Sequence, residues 1–245
     1  MEKEFEKKYH DVEIDHWWFK SRRKYLLDLI KDAPKESKIL DVGCSSGIFL
    51  KDLESIGFKT ENLFGVDISE TAIENCKANG IKHCYVMDAQ NITLTETFDI
   101  IIASDCLEHL EDDKKALKNW NNLLKIDGKM YVFVPAFMSL WSYHDEVNRH
   151  FRRYTNSELK AKLVAENLEI IKSSYWNFFL FLPVYFFRKV TSIFQKNKSG
   201  ESDISIGNTY INRMLLNLII LENKLLKVVR FPFGVSTFCI AKRVS

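Results

Sequence analysis

The sequence carries almost no surplus charge of either sign: 35 Lys and Arg stand against 33 Asp and Glu, a formal +2 over 245 residues. That balance gives no general field for nucleic acid, so any basic site must be a local cluster. Paired cysteines are lacking too. The five, at positions 44, 76, 84, 106 and 239, are odd in number and show no CxxC spacing, which argues for buried, reduced thiols and against a disulfide framework. Nor is there an apolar leader, because Met1 to Lys8 alternates charges, and the chain is expected to stay in the cytoplasm. The longest charge-free run, the 15 residues between Lys172 and Arg188, contains Pro183 and falls short of the roughly 20 residues that a spanning helix needs. No internal repeat is visible.

What is present has the composition of a globular protein, 46% hydrophobic and 28% charged. An aromatic and basic helical lead-in occupies about Asp11 to Ala33 and stops at Pro34. Short β-rich runs then alternate with amphipathic stretches: Lys38 to Val42, Ile48 to Ile56, Leu63 to Asp67, Glu70 to Asn79, Tyr85 to Met87, Phe98 to Ala103, Asp113 to Leu124 and Lys129 to Val134. Such alternation predicts a parallel sheet with helices on both faces. After an irregular loop, Thr155 and Glu158 read as a capping box that opens a helix to about Glu166, followed by a strand at Leu168 to Ser173. Four parts are expected: a cap over 1–34, a core over 35–174, a hydrophobic helical insertion over 175–230 and a closing strand over 231–245.

The strongest local signal is the run from Ile39 to Leu50, a strand that passes through a Gly43-to-Gly47 turn into a helix. Such a turn directs backbone N–H groups and a positive helix end to the carboxyl edge of a sheet, where open α/β sheets bind ligands. A dinucleotide fingerprint would need further glycines at Ser45 and Ile48, so nicotinamide is disfavoured. Asp67 ends the second strand 20 residues after Gly47, at the place where a carboxylate reaches the two hydroxyls of a ribose; a helix-capping role is its alternative. Asp88, in Met87-Asp88-Ala89 after the third strand, suits an adenine amino group or a plain loop.

The ordered set Asp41 to Gly47, Asp67, Asp88, Phe98 to Leu110 and Asp127 to Pro135 resembles the successive motifs of class I S-adenosylmethionine-dependent methyltransferases. The resemblance implies a doubly wound, mostly parallel, seven-stranded Rossmann-like α/β sheet, with S-adenosylmethionine as donor and S-adenosylhomocysteine as product. It places Asp41 and the backbone of Gly43, Cys44, Ser46 and Gly47 on the amino acid moiety, Asp67 on the ribose, Ile68, Asp88 and Ala89 at the adenine, and Ser104 and Asp105 beneath the sulfonium. His109 would reach the acceptor or pack as a neutral imidazole. His16 to Arg23 is similar to a cap helix of such enzymes, with Arg22 or Arg23 on the cofactor carboxylate. Many relatives have glycine where this chain has Ser45.

Past the fifth strand, Leu140 to Tyr154 holds two of the six histidines and three arginines. This density makes His144 or His150 a candidate general base and Arg152, Arg153 and Tyr154 candidate ligands of an anionic acceptor group. No metal site is expected, since His144, Asp145 and His150 have no evident fourth partner. The aromatic run from Tyr175 to Phe187 closed by Arg188 and Lys189 suits a peripheral anchor on the inner face of the membrane or a channel for a hydrophobic or lipid-linked acceptor, with a homodimer interface as the alternative. A cofactor-binding module without transfer, and a nicotinamide-dependent oxidoreductase, are the rival functions; nucleic acid is not expected as a partner.

Overall fold

A computed structural model describes residues 13–194 and 208–244, with only the backbone of 191–194. Residues 1–12 of the expected cap, with the first two lead-in residues, and residues 195–207 of the expected insertion lie outside the described residues. Helix α1 (Trp17–Ile30) leads to β1 (Ile39–Val42), α2 (Ile48–Ser55), β2 (Leu63–Asp67), α3 (Glu70–Ala78), β3 (His83–Val86) and β4 (Phe98–Ser104). Then come α4 (Asp113–Leu123), β5 (Leu124–Pro135), α5 (Tyr143–Val147), α6 (Asn156–Ala165), β6 (Leu168–Trp176), α7 (Phe181–Phe194), α8 (Thr209–Leu225) and β7 (Ser236–Arg243).

The strands form one sheet in the order β3-β2-β1-β4-β5-β7-β6. Strands β1 to β5 run parallel, whereas β7 lies antiparallel between β5 and β6. All four residues of β1 are buried, because helices cover both faces of a central parallel strand. One face packs Tyr25, Leu26 and Ile30 of α1 and Leu50 and Leu53 of α2 against Phe133 and Phe238; the other packs Trp120 of α4 and Leu159 and Leu163 of α6 against Met130 and Cys239. All five cysteines are buried and free, as their scatter suggests.

Strands β3 and β5 begin earlier than expected, at His83 and Leu124, and two boundaries near the expected insertion also differ. Strand β6 runs to Trp176, so the first two aromatics of the 175–230 segment belong to the sheet, and helix begins only at Phe181. Tyr175 and Trp176 are held there by cross-strand pairing with Thr237 and Ser236, which outweighs the helical look of an uncharged aromatic run. Helix α8, moreover, is built into the cap. Asn212 Oδ1 accepts from the N–H of Trp17 (2.9 Å), and Asn223 both donates to the Ser21 carbonyl (3.2 Å) and accepts from Trp176 Nε1 (2.7 Å). It thereby clamps α1 across the carboxyl edge of the sheet.

Candidate active site

The glycine turn after β1 is shaped by packing. Gly43 (φ +76°) and Gly47 (φ +74°) adopt the left-handed conformation, and a Cβ on Gly47 would lie 2.5 Å from Cys76 Sγ. The N–H groups of Gly43 and Cys44 donate to the Val66 carbonyl (2.8 and 3.0 Å), and that of Gly47 to Cys44 (2.9 Å). The sequence reading of a turn with unpaired N–H groups is thus corrected at these three positions, since pairing with β2 and the tightness of the turn consume them. Ser45 takes the left-handed conformation (φ 50°) that glycine would hold more easily, and its N–H donates to Asp67 Oδ2 (3.0 Å).

Three carboxylates crowd this turn. Glu13 Oε2 accepts from the hydroxyls of Ser45 (3.1 Å) and Ser46 (2.7 Å), while Asp67 ends β2 beside them and Asp41 lies buried at the strand tip. Burial, then the negative groups of Cys76, Glu13 and Asp67, push the Asp41 carboxyl well above its usual range. A turn so acidic favours a cationic ligand, with an ammonium and a sulfonium, and repels a pyrophosphate. Next to Asp67, Ile68 is 72% exposed, an apolar side chain at a strand tip with no protein packed on it. Asp88 Oδ1 accepts from the N–H of Gln90 (2.9 Å) and the Ala89 carbonyl from Trp120 Nε1 (2.8 Å), which fixes the loop beside it.

At the tip of β4, Arg22 reaches down from α1. Its guanidinium donates to Asp105 Oδ1 (3.1 Å), Ser104 Oγ (3.3 Å) and Ser236 Oγ (3.3 Å), and stacks 4.4 Å from the Trp176 ring centroid. Arg22 is thus paired with the residues at the tip of β4, and Arg23 is paired with Asp52 and the carbonyls of Glu13 and Ile14.

Beyond this floor the loop after β5 is organised by Asp145, which has no exposed surface. It accepts from Arg153 Nε (2.7 Å) and NH2 (3.0 Å), from the Ser142 N–H (2.9 Å), and pairs with His150 Nδ1 (2.8 Å). Burial opposes ionisation here, but the hydrogen bonds from His150 and Arg153 hold this carboxyl well below its ordinary range. The expected anion-binding residues are accordingly structural. Arg153 is buried on Asp145 and the Ala136 carbonyl, Tyr154 donates its hydroxyl to Asp113 (2.9 Å), and Arg152 pairs with Asp113 (3.1 Å) and donates to the Glu111 carbonyl. His144 also fits the role of base poorly, since its Nε2 meets the Asn148 amide (3.1 Å) and burial drives its pKa down to about 4. His150 lies edge-on to His109, with ring centroids 4.5 Å apart.

A methyltransferase-domain family model matches residues 40–132, the stretch from β1 through most of β5. The ubiquinone biosynthesis O-methyltransferase of Coxiella burnetii is 27% identical over 180 residues, 67% of this chain and 70% of that protein. A protein of the same name from Glaesserella parasuis is 29% identical over 106 residues, 39% of this chain, and there the match spans only 44% of the relative. Residues 40–132 thus have the sequence of a methyltransferase domain. The fold agrees: the N-methyltransferase NodS of Bradyrhizobium japonicum, solved with S-adenosyl-L-homocysteine, superposes with a TM-score of 0.59 at 15% identity, covering 95% of this chain and 91% of that one. The acidic turn with a largely exposed Ile68 fits a cationic nucleoside such as S-adenosylmethionine.

Three residues have a place here that the sequence reading did not give them. Glu13, assigned to an unremarkable lead-in, supplies a carboxylate to the turn, and nothing in its spacing to Ser45 and Ser46 announces it. Asp145 lies five and eight residues before His150 and Arg153, a separation legible only once the loop closes on itself. Glu108, adjacent to His109 in the run after β4, is 1% exposed and leaves Oε2 without a partner. A buried acid next to a histidine was the signal available.

Proposed function

We propose that this methyltransferase transfers the methyl group of S-adenosylmethionine to an oxygen of an apolar, membrane-partitioned small molecule, working at the inner face of the membrane. Both relatives are O-methyltransferases by name, which supports oxygen as the accepting atom. In this reading Asp41 and the Gly43-to-Gly47 turn hold the amino acid moiety, Asp67 the ribose, and Ile68, Asp88 and Ala89 the adenine. Ser104 and Asp105, fixed by Arg22, form the floor. The cofactor supplies an electrophilic methyl group on a sulfonium; the chain's part is placement, exclusion of water by Trp17 and Trp18, and removal of the acceptor's proton. His150 is our candidate for that last role, because Asp145 holds its Nδ1 and leaves Nε2 to accept a proton.

The observation that carries the acceptor class is helix α7. Leu182, Phe186, Phe187 and Val190 are each more than half exposed, an apolar surface bordered by Arg188 and Lys189. Arg188 of the same helix donates to the Leu140 carbonyl and lies 3.9 Å from Asp145, so this surface is attached to the loop that carries His150. Among the described residues no helix is long and apolar enough to cross a membrane, which fits contact from one side. Incubation of the purified chain and labelled donor with separate lipid and aqueous extracts tests the reading. Label is expected in the organic phase, in a product that resists mild base as an ether does; label confined to the aqueous phase removes the apolar acceptor, and cofactor binding without any transfer removes the activity. Sedimentation with phosphatidylglycerol vesicles is expected to carry the chain down, and a stable solution dimer that ignores vesicles would assign α7 to a subunit interface.

A further inference from the structure

Directly beyond the floor residues Ser104 and Asp105, the chain makes a short 3-10 turn, Leu107–His109, and the loop after β5 folds back onto it: the Phe151 N–H donates to the Glu108 carbonyl (2.8 Å). This brings together three donor side chains from two distant stretches of sequence. The ligand atoms of Glu108, His109 and His150 all lie within 4.8 Å of one another. We propose that these three residues form a binding site for a zinc-like divalent cation, with at least one coordination position left for the acceptor oxygen.

Two of the donors are prepared for that role. His150 Nδ1 is held by Asp145 Oδ1 (2.8 Å), which fixes one nitrogen of that imidazole and leaves Nε2 for a cation, and the His109 ring packs edge-on against it with centroids 4.5 Å apart. Carboxylate or carbonyl support behind a ligating histidine is the usual arrangement at metal sites, where it sets the tautomer and ring orientation. Glu108 Oε2 is buried with no hydrogen-bond partner. An orphaned buried acceptor costs about 1–3 kcal/mol, more if charged, and a cation would satisfy it. Two imidazoles and one carboxylate with an open position is a ligand set of catalytic zinc. Donors about 2.1 Å from a tetrahedral zinc lie about 3.4 Å apart, so a pair at the 4.8 Å limit must close by about 1.4 Å when the ion enters.

The inference rests on the methyl-transfer reading for its purpose, though not for its existence. An acceptor hydroxyl bound to the cation loses its proton to water near neutral pH, as metal-bound water does. Its oxygen lone pair then forms the bond to the methyl carbon while the carbon–sulfur bond breaks, and the sulfonium becomes the neutral thioether of S-adenosylhomocysteine. His150 then acts as a ligand, in place of the general base.

The full chain, dialysed against chelator, is titrated with Zn2+ against a competing dye and, separately, with Co2+ while its visible absorption is followed. One equivalent is expected to bind, with the ligand-field bands of low-coordinate cobalt, and Glu108→Gln or His150→Gln is expected to weaken binding at least tenfold. Should Glu108→Gln fail to fold, His109→Gln serves the same comparison. Less than stoichiometric binding, or binding equal in wild type and in the folded variants, overturns the site. Affinity for S-adenosylmethionine is measured on the same samples. A chain that methylates at full rate after chelation and binds no zinc overturns the inference and leaves the transfer reading intact; one that binds zinc through these residues without methylating anything does the reverse.

Discussion

Replacing Gly47 by Ala tests whether the cofactor turn is held by packing, as the structure indicates, or by the needs of a ligand alone. Two costs add. Alanine at φ +74° pays about 1–2 kcal/mol for the left-handed conformation. Its Cβ would also fall 2.5 Å from Cys76 Sγ, 3.3 Å from Ile81 and 3.4 Å from Cys76 Cβ, where overpacking costs typically another 1–3 kcal/mol. The sum, roughly 2–5 kcal/mol, corresponds to a loss of about 5–15 °C in Tm for a chain of this size. The two contributions separate in a double-mutant cycle, because Cys76→Ala removes the sulfur that the new methyl strikes and leaves the backbone cost untouched. Urea unfolding of the four proteins should give a favourable coupling of about 1–3 kcal/mol between the substitutions. A coupling below about 0.5 kcal/mol, or a single Gly47→Ala variant as stable as wild type, would show that α3 does not press on the turn and that the packing account is wrong.

Asp67→Ala should weaken S-adenosylmethionine binding by about 2 kcal/mol, near thirtyfold in Kd by calorimetry, since a charge-assisted pair with the ribose and the bond from the Ser45 N–H are lost together. Asp145→Ala should cost about 3–5 kcal/mol in unfolding free energy, because it strands the buried Arg153 guanidinium; an effect below about 1 kcal/mol would remove Asp145 as the organiser of the loop. Acid should destabilise the chain through Asp113, whose carboxyl, though burial opposes it, is held below its usual range by Lys162, Tyr154 and Arg152. A depressed folded pKa gives stability that is complete above the unfolded value near 4 and is lost as pH falls below it, so Asp113→Asn should flatten the stability curve between about pH 5 and 2, and an unchanged slope would refute the assignment.

The cofactor half of this protein was legible because its logic is local. Leu63–Asp67 was read to the residue, since a buried parallel strand announces itself as a short apolar run and Asp67 ends it where the sheet meets solvent. Position was legible where occupancy was not: Gly43 and Gly47 were correctly marked as a turn, but what crowds them, Cys106 and Cys76, comes from β4's exit and from α3, and no spacing within the turn discloses it. The acceptor half was less legible for the same reason at longer range. Arg152, Arg153 and Tyr154 look like an anion clamp when counted along the loop, yet their partners Asp113 and Asp145 neutralise them across the fold. A cluster of basic residues in a chain of balanced charge is as consistent with internal pairing as with a ligand, and burial decides between them.

That pairing gives the acceptor end a single point of control. Asp145 faces His150 on one oxygen and the Ser142 N–H on the other, and Arg153 spans both. Arg188 brings α7 to within 3.9 Å of the same carboxylate. A displacement of α7, by lipid or by any other occupant of its apolar face, therefore changes the charge balance around Asp145 and with it the hydrogen bond that orients His150. The surface proposed to meet the acceptor and the imidazole proposed to act on it share one buried anion, which under that proposal would couple recruitment to chemistry through a path two side chains long. The coupling needs no movement of the sheet. It needs only that Arg188 approach or leave a carboxylate whose other partners are fixed.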